Sequence, residues 1–357
     1  MKARLLAGVG VLAAAMLTVV PAAAAEDVVV RSSIQAAVDA AHPGDTVVVP
    51  PGRYHESVTI AKSGITIRGS RGAVLDASGF SVGIRAASAP GGPGCPAPSL
   101  SGIVVDGLRV ENAGFTGVLL RGVDGFAVRD GVYAGNEEYA VFPICSRNGL
   151  IEGNHVEGTD DAAIYVGNSH DVVVERNHAT DSTVGIEIEN STDLVVRDNT
   201  AIGNTAGIVI FVLPGLALPV TEVVLVERNV VMHNNRPNPV LPNQDAVGSI
   251  PTGTGILSVG ADRVVVRENR VVGNDSGGIA VIALPFPNPD PRVDPFPDST
   301  QVLSNVALAN GRRPDPLRSS FAGADLIYDG SGTDNCFAEN IFASSIPLGL
   351  ELLFACG

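Results

Sequence analysis

Short runs in which apolar and polar residues alternate recur along most of the chain. One set reads VVVER, LVVRD, VVLVER or VVVRE, and a second set reads GVLLR, AIYVG, GIEIE, GIVIF or GIAVI. Alternation with a period of two is the pattern of a β-strand with one buried face. Helical periodicity is missing after about Ala41. The pattern therefore predicts an all-β chain with two short strands in each repeating unit.

The units recur every 22 or 23 residues, and longer connections extend this period in the second half of the chain. Two polar columns mark the repeat. The first contains Gly107, Gly131, Asn154, Asn177, Asn199, Asn229, Asn269, Asn305 and Asn340. The second lies five residues later and contains Asn112, Asn136, Thr159, Ser182, Asn204, Asn234, Asn274 and Asn310.

One such unit cannot bury its Val and Ile residues alone, whereas stacked units can, so the repeat predicts a solenoid. Stacking at the strand separation of about 4.8 Å places like residues above one another. Asn tolerates left-handed backbone angles at a turn, and stacked Asn side chains can form a hydrogen-bonded ladder. We therefore interpret the Asn residues as corners. Val173 is predicted to point inward on a central coil.

The segment SIQAAVDAAHPGDTVVVPPGRYHESVTIAKSGITIRGS, from Ser33 to Ser70, resembles the start of pectate-lyase-like right-handed parallel β-helix proteins. The repeat also resembles those of copper-accessory (NosD-like) β-helix proteins and mannuronan epimerases. The resemblance implies a right-handed parallel β-helix of nine to ten coils with a short N-terminal capping helix. The apolar face of that helix would be Ile34, Ala37, Val38 and Ala41.

The sequence predicts one domain, residues 26–357, with loop insertions between the coils. The insertions span Ala87–Leu100, Leu213–Glu222, Asn235–Thr254, Ala283–Thr300 and Gly311–Gly332. Long loops on a rigid scaffold often carry function. They can also simply cover apolar surface.

Residues 1–25 have a basic start, a short apolar run and a small-residue end, which is the pattern of a secretory signal peptide. We therefore expect a secreted, periplasmic or cell-envelope protein with no membrane insertion after cleavage. Cys95, Cys145, Cys336 and Cys356 are the four cysteines, an even number that suggests two disulfides in an exported chain. Of three possible pairings, we favour Cys95–Cys145 and Cys336–Cys356, because the second would hold the chain end.

The formal net charge of −15 argues against nucleic acid and anionic lipid as partners. It also disfavours a polyanionic sugar unless a cation bridges the two. Trp, a common sugar-stacking residue, is absent. The pattern leaves the oligomeric state open.

The second strand of each unit carries mostly apolar outward residues, in the order Leu119/Arg121, Phe142/Ile144, Tyr165/Gly167, Glu187/Glu189, Val209/Phe211, Leu257/Val259 and Ala280/Ile282. The middle differs, because Tyr165 would stand beside Glu187 and Glu189. Six residues form the candidate catalytic cluster: Asp160, Asp161, Tyr165, His170, Glu187 and Glu189. Glu137, Glu138 and Tyr139 occupy the matching corner one coil earlier. The two glutamates could equally be ordinary solvent-facing residues, and the two aspartates ordinary turn residues.

Three chemistries fit this cluster. A lyase or epimerase would use Tyr165 or His170 for proton transfer, with Arg121 to neutralise a uronate. A hydrolase would use two of Asp160, Asp161 and Glu187. The same three residues could hold Ca²⁺, the one cofactor considered, because calcium takes oxygen ligands.

The resemblance implies glycan chemistry, but two family motifs differ in this chain. Mannuronan epimerases carry Asp-Pro-His-Asp at a corner where this chain has Gly158, Thr159, Asp160 and Asp161. The clustered Met and His residues that would support copper delivery are absent. We expect an exported, polysaccharide-interacting protein, with lyase, epimerase or hydrolase activity as candidates. The alternative is a non-catalytic envelope or surface scaffold.

Overall fold

The computed structural model describes residues 25–88, 94–242, 244–285, 287–318 and 323–357. Almost all of the predicted signal peptide lies outside these residues. The described strands form three sheets of 12, 11 and 11 strands, and every strand pairs in parallel with its equivalent one coil away. The chain passes from the first sheet to the second, then to the third, and returns to the first. Three strands therefore make each coil of a parallel β-helix.

The strands of the three sheets follow one another in order along the helix axis. The first sheet contains Asp27–Val29, Thr46–Val49, Thr66–Gly69, Leu100–Asp106, Val123–Arg129, Arg147–Glu152, His170–Glu175, Thr192–Arg197, Glu222–Glu227, Asp262–Arg267, Gln301–Leu303 and Cys336–Ala338. The second contains Gly52–His55, Ala73–Asp76, Arg109–Glu111, Val132–Ala134, His155–Glu157, His178–Thr180, Thr200–Ile202, Val230–Met232, Arg270–Val272, Val306–Leu308 and Ile341–Phe342. The third contains Val58–Ile60, Val82–Ala87, Thr116–Arg121, Tyr139–Ile144, Ala162–Gly167, Val184–Glu189, Ala206–Phe211, Thr254–Val259, Gly277–Ile282, Ala324–Tyr328 and Ser345–Ile346.

The prediction of two strands per unit is wrong, because each coil has a third, short strand in the second sheet. In His178–Thr180 and Thr200–Ile202 only the central residue is buried, so no alternation can show in the sequence. The sheets also hold more strands than nine to ten coils require. One of them, Ala324–Tyr328, lies inside the segment that the sequence analysis treated as an insertion.

Inward Val, Ile and Leu side chains from all three sheets form one continuous core. In the third sheet, Ile164, Ile186 and Ile208 stand in register and are fully buried. The predicted N-terminal cap is confirmed as the α-helix Ile34–Ala40. The Ser33 side chain begins this helix by accepting a hydrogen bond from the amide of Ala36.

The C-terminal end closes with the short helix Leu350–Leu353, whose Leu350 is fully buried. Both favoured disulfides, Cys95–Cys145 and Cys336–Cys356, are present. The second ties the last residues to the final strand of the first sheet. Among the described residues, no helix is long and apolar enough to cross a membrane.

The first Asn column forms a buried ladder. The side-chain amide of Asn154 donates to Asn177 Oδ1 at 2.9 Å, and Asn177 donates to Asn199 Oδ1 at 3.0 Å. The ladder continues through Asn340 and ends on Glu351, which accepts at 2.7 Å. A second ladder runs from Asn204 through Asn234, Asn274 and Asn310 to the buried carboxylate of Asp325. Each ladder therefore ends on an acceptor-only group.

The ladder Asn residues do not have the left-handed backbone that the sequence analysis expected of them. The residue before each one does, and Arg176, Asp198 and Arg228 have φ between 53° and 56°. Gly107 also has positive φ and corresponds to Asp130, so it lies one position before the ladder column. Asn is therefore required for its side-chain hydrogen bonds rather than for its backbone freedom.

The predicted inward orientation of Val173 is wrong. Val172 and Val174 are fully buried, whereas Val173 is half-buried and faces outward between Leu150 and Val195. A run of three valines offers no polar residue that would reveal which face each one occupies.

This register generates a matched pair of variants. Val174→Asp should prevent folding or lower the free energy of unfolding by several kcal/mol, because it buries an unpaired charge. Val173→Asp should cost only about 1 kcal/mol, because its carboxylate reaches solvent. Urea unfolding followed by circular dichroism measures both. Equal losses in the two variants would contradict the observed register.

Candidate functional site

The outward residues of the third sheet form a second apolar cluster, separate from the core. It includes Leu119, Phe142, Tyr165, Val209, Phe211, Leu257 and Val259, as the alternation predicted. Insertions cover this face: Val247 and Ile250 belong to segment Asn235–Thr254 and are buried against it. The insertion therefore covers part of the outer face of the third sheet and separates that part from solvent.

Two glutamates lie at the centre of this face. Glu187 pairs with Tyr165, and Glu189 pairs with Gly167, on adjacent strands of the third sheet. Their exposures are only 2% and 9%. The reading of these residues as ordinary solvent-facing positions is wrong, because the insertions cover them.

Two tyrosine hydroxyls bind carboxylates in this region. Tyr165 donates to Glu189 Oε1 at 2.7 Å, and Tyr139 donates to Asp161 Oδ2 at 2.6 Å. The two rings pack with centroids 5.2 Å apart, and Phe142 stacks on Tyr139 at 4.4 Å. Aromatic packing thus fixes the hydroxyls that orient two of the acids.

Two other carboxylate oxygens near these tyrosines receive no hydrogen bond within the part of the chain that the structure describes. Glu187 Oε2 and Asp161 Oδ1 are buried and have no hydrogen-bond partner among the described residues. Most buried polar atoms in proteins are paired, so these two carboxylate oxygens are candidate contacts for a ligand. We define Asp161, Glu187 and Glu189, with Tyr139 and Tyr165, as the carboxyl cluster.

Burial raises the pKa of every acid in the carboxyl cluster. It raises the pKa of Asp161 to about 6, although the hydrogen bond from Tyr139 opposes the shift. It raises the pKa of Glu189 to about 7, against the hydrogen bond from Tyr165. The pKa of Glu187 is raised by burial and then by the charges of Asp161 and Glu189. Asp161 and Glu189 therefore exchange protons near neutral pH.

One acid of the site was missed by sequence reasoning. The charge of Asp245 raises the pKa of Asp161, Glu187 and Glu138, which brings segment Asn235–Thr254 close to the cluster. Asp245 lies outside the repeat, so no register connects it with the strands. Tyr139 was noted at the matching corner, and its bond to Asp161 assigns it to the site.

The structure does not bring all six predicted residues together. Asp160 is exposed, and its main chain binds Glu137 and Thr183. His170 is half-buried on the first sheet, where it contacts the carboxylate of Asp171 at 2.8 Å. Asp161, Tyr165, Glu187 and Glu189 remain as the common group.

Calcium was considered for Asp160, Asp161 and Glu187. Within the described residues, no three His, Cys, Asp or Glu side chains are grouped so that they could hold a metal ion. The geometry of the described residues gives the calcium hypothesis no support.

Comparison with known proteins identifies the fold. Residues 60–213 match the family described as right-handed beta helix region. With the three parallel sheets, this match shows a right-handed parallel β-helix of the pectate-lyase-like type, as predicted. No curated protein matches the chain significantly.

Several solved structures share this fold. The A-module of a mannuronan C-5 epimerase of Azotobacter vinelandii is 17% identical, with a TM-score of 0.59, covering 89% of this chain and 86% of that chain. A surface adhesin of Streptococcus pneumoniae is 13% identical, with a TM-score of 0.59 and 86% of both chains covered. A family 28 exopolygalacturonase of Yersinia enterocolitica is 11% identical, with a TM-score of 0.51, covering 89% of this chain and 78% of that chain. At these identities the likeness concerns the fold.

The raised pKa values predict a stability that depends on pH. Because the folded protein holds the protons of Asp161 and Glu189 more tightly than the unfolded chain, the contribution of these two acids to stability is full below about pH 4 and is lost as pH rises through about 6 to 7. The pKa of Glu187 is raised in the same direction, so Glu187→Gln should melt higher relative to the wild type at pH 8 than at pH 5. Melting temperatures between pH 5 and pH 8 measure the effect.

The matched control is Glu157→Gln, an exposed glutamate on the second sheet. It should follow the wild-type pH dependence. If the melting temperature of Glu187→Gln also follows that of the wild type at every pH, the pKa of the Glu187 carboxyl is not raised in the folded protein.

Proposed function

We propose that this chain is an exported, glycan-active protein whose carboxyl cluster supplies acid–base chemistry. Its reaction would be the hydrolysis of glycosidic linkages between uncharged sugars. The observation that carries the proposal is Glu187. Its carboxyl is buried, its Oε2 has no hydrogen-bond partner among the described residues, and its pKa is raised. A carboxyl group that stays protonated near neutral pH is the general acid that glycoside cleavage needs.

Asp161 is suited to be the second carboxyl. It is less deeply buried than Glu187, and its pKa of about 6 leaves it ionised at neutral pH. The hydroxyl of Tyr139 orients one of its oxygens and leaves Oδ1 available. Glu187 would donate a proton to the leaving oxygen, while Asp161 would act as base or nucleophile. Two acids in different environments can thus take different roles.

The charges around the site favour a neutral glycan over a uronate. All the charges that shift the pKa values of Asp161, Glu187 and Glu189 are those of other carboxylates. A uronate would add one more negative charge, and both lyase and epimerase chemistry need that charge neutralised. Hydrolysis makes no such demand.

Two further observations support export and a glycan partner. The two disulfides suit an oxidising compartment, in agreement with the predicted signal peptide. Solved structures with the same fold include a mannuronan C-5 epimerase and an exopolygalacturonase. Both observations are consistent with a secreted or envelope protein that contacts polysaccharide.

A non-catalytic binding or scaffold role is the second candidate. It is favoured by the burial of Val247 and Ile250 over the third sheet, which limits access to Glu187. One solved structure with this fold is that of a surface adhesin. In this reading the acids would bind a ligand without turnover.

The test incubates the purified protein with a panel of neutral and uronate polysaccharides, with calcium and then with chelator, and follows the products by proton NMR. We expect new reducing ends from a neutral glycan, insensitive to chelator. Glu187→Gln should lower the rate by about 100-fold or more, whereas Glu157→Gln should leave it unchanged.

Other outcomes point elsewhere. Calcium-dependent unsaturated ends or inverted uronate centres would replace hydrolysis with lyase or epimerase chemistry. Unchanged spectra across the panel, or full activity in Glu187→Gln, would leave the binding role as the better account.

A further inference from the structure

A cavity of about 130 Å³ lies on the same face as the carboxyl cluster, towards the C-terminal end. Its floor is formed by the third-sheet strands Ala206–Phe211, Thr254–Val259 and Gly277–Ile282. Its walls come from the segment around Ile250 and from Leu284, which belong to two different insertions. The insertions therefore do more than cover the sheet, because they enclose a space above it.

The cavity is apolar. Val209, Phe211, Leu257, Val259, Ile250 and Leu284 contribute hydrocarbon surface. The polar groups at its edge are already engaged within the protein. Thr254 Oγ1 donates to the Pro251 carbonyl at 2.7 Å, and Ser276 Oγ donates to the Thr252 carbonyl at 2.5 Å.

Arg318 is the charged residue of the lining, and its side chain is 8% exposed. Its guanidinium donates to the carbonyls of Gly248 and Val240 and to the carboxylate of Asp315. These bonds hold the wall segment and use all three nitrogens. Because the guanidinium is committed to the wall and the rest of the lining is mainly hydrocarbon, the cavity offers a better environment to a hydrocarbon group than to a sugar hydroxyl or a charged group.

The volume sets the size of the occupant. A cavity of about 150 Å³ lined by Leu, Ile and Phe binds benzene in another protein. At about 130 Å³, the present cavity suits a group of about six carbon atoms, such as an aromatic ring or a short branched alkyl chain.

The position of the cavity connects it with the acids. Val209 is the register partner of Glu187, and Phe211 is the register partner of Glu189. Parallel strands lie about 4.8 Å apart, so the near wall of the cavity is one strand from the carboxyl cluster. The cavity and the carboxyl cluster are therefore neighbours on the outer face of the third sheet.

We propose that this cavity binds an uncharged hydrocarbon group of about six carbon atoms, carried as a substituent on the molecule that the carboxyl cluster contacts. The proposal that the cavity binds a hydrocarbon group depends on the size and lining of the cavity and not on the proposed function. The identification of that molecule as an aryl- or acyl-substituted glycan rests on the proposed function. The substrate class would then be glycosides or glycans with an apolar group next to the reacting linkage.

The first experiment tests the cavity without a sugar. Fluorobenzene is titrated into the full protein and followed by fluorine NMR, with cyclohexane as competitor. We expect saturable binding that cyclohexane displaces. Ala280→Leu, which adds three carbon atoms from the cavity floor, should weaken binding at least tenfold. Ala127→Leu, an equal addition on the outer face of the first sheet, should leave it unchanged.

The second experiment compares phenyl and methyl glycosides of the sugar that the protein cleaves. We expect the phenyl compound to be preferred about tenfold in kcat/KM, and Ala280→Leu to abolish that preference. The absence of fluorobenzene binding, or equal binding by Ala280→Leu, would overturn the cavity proposal even if hydrolysis occurs. Fluorobenzene binding without cleavage of any glycoside would support the cavity and contradict the proposed function. Cleavage without a phenyl preference would overturn the link between cavity and substrate.

Discussion

The stacking of coils at the spacing of a parallel sheet is the constraint on which the rest of this structure depends. At about 4.8 Å per coil, each corner must satisfy the same backbone groups on every turn. The Asn ladders do this, since Asn177 donates to the Ile151 carbonyl of the preceding coil and to Asn199 of the next. Asn has both a donor and an acceptor, so it can be repeated indefinitely. A carboxylate can only accept, which is why Glu351 and Asp325 occur where the two ladders end.

The same residue types repeat at the corners and in the core of every coil, whereas the outward residues of the third sheet differ from coil to coil. Most coils place apolar residues there, which need a cover, and the insertions between coils supply it. The coils of Asp161 and Glu187 place acids on the same face. The cover that suits the apolar residues also removes these acids from water and raises their pKa values. The rigid solenoid keeps such unfavourable groups in place, because the coils on either side are fully paired.

The carboxyl cluster and the cavity follow from this one arrangement. Phe142 and Tyr165 pack on the N-terminal side, the acids lie in the middle, and the enclosed hydrocarbon space lies on the C-terminal side. A ligand with a polar part and an apolar part would match that order along the helix axis. The long segment Asn235–Thr254 contacts both regions, through Asp245 near the acids and Ile250 at the cavity. It is therefore the element that joins them.

The sequence alone determined the solenoid, the cap, the ladder columns and the outward pairs, because each depends on residues that repeat in register. It also brought Asp161, Tyr165, Glu187 and Glu189 to one face. It could not orient Val173, since valine suits either side of a strand. It separated neither Asp160 nor His170 from the cluster, because spacing does not tell which way a corner residue turns. Only the tertiary structure decided that Glu187 is buried, that Asp245 is near and that a cavity exists. Those features come from insertions outside the repeat, and their positions are set by packing against the sheet rather than by any period in the sequence.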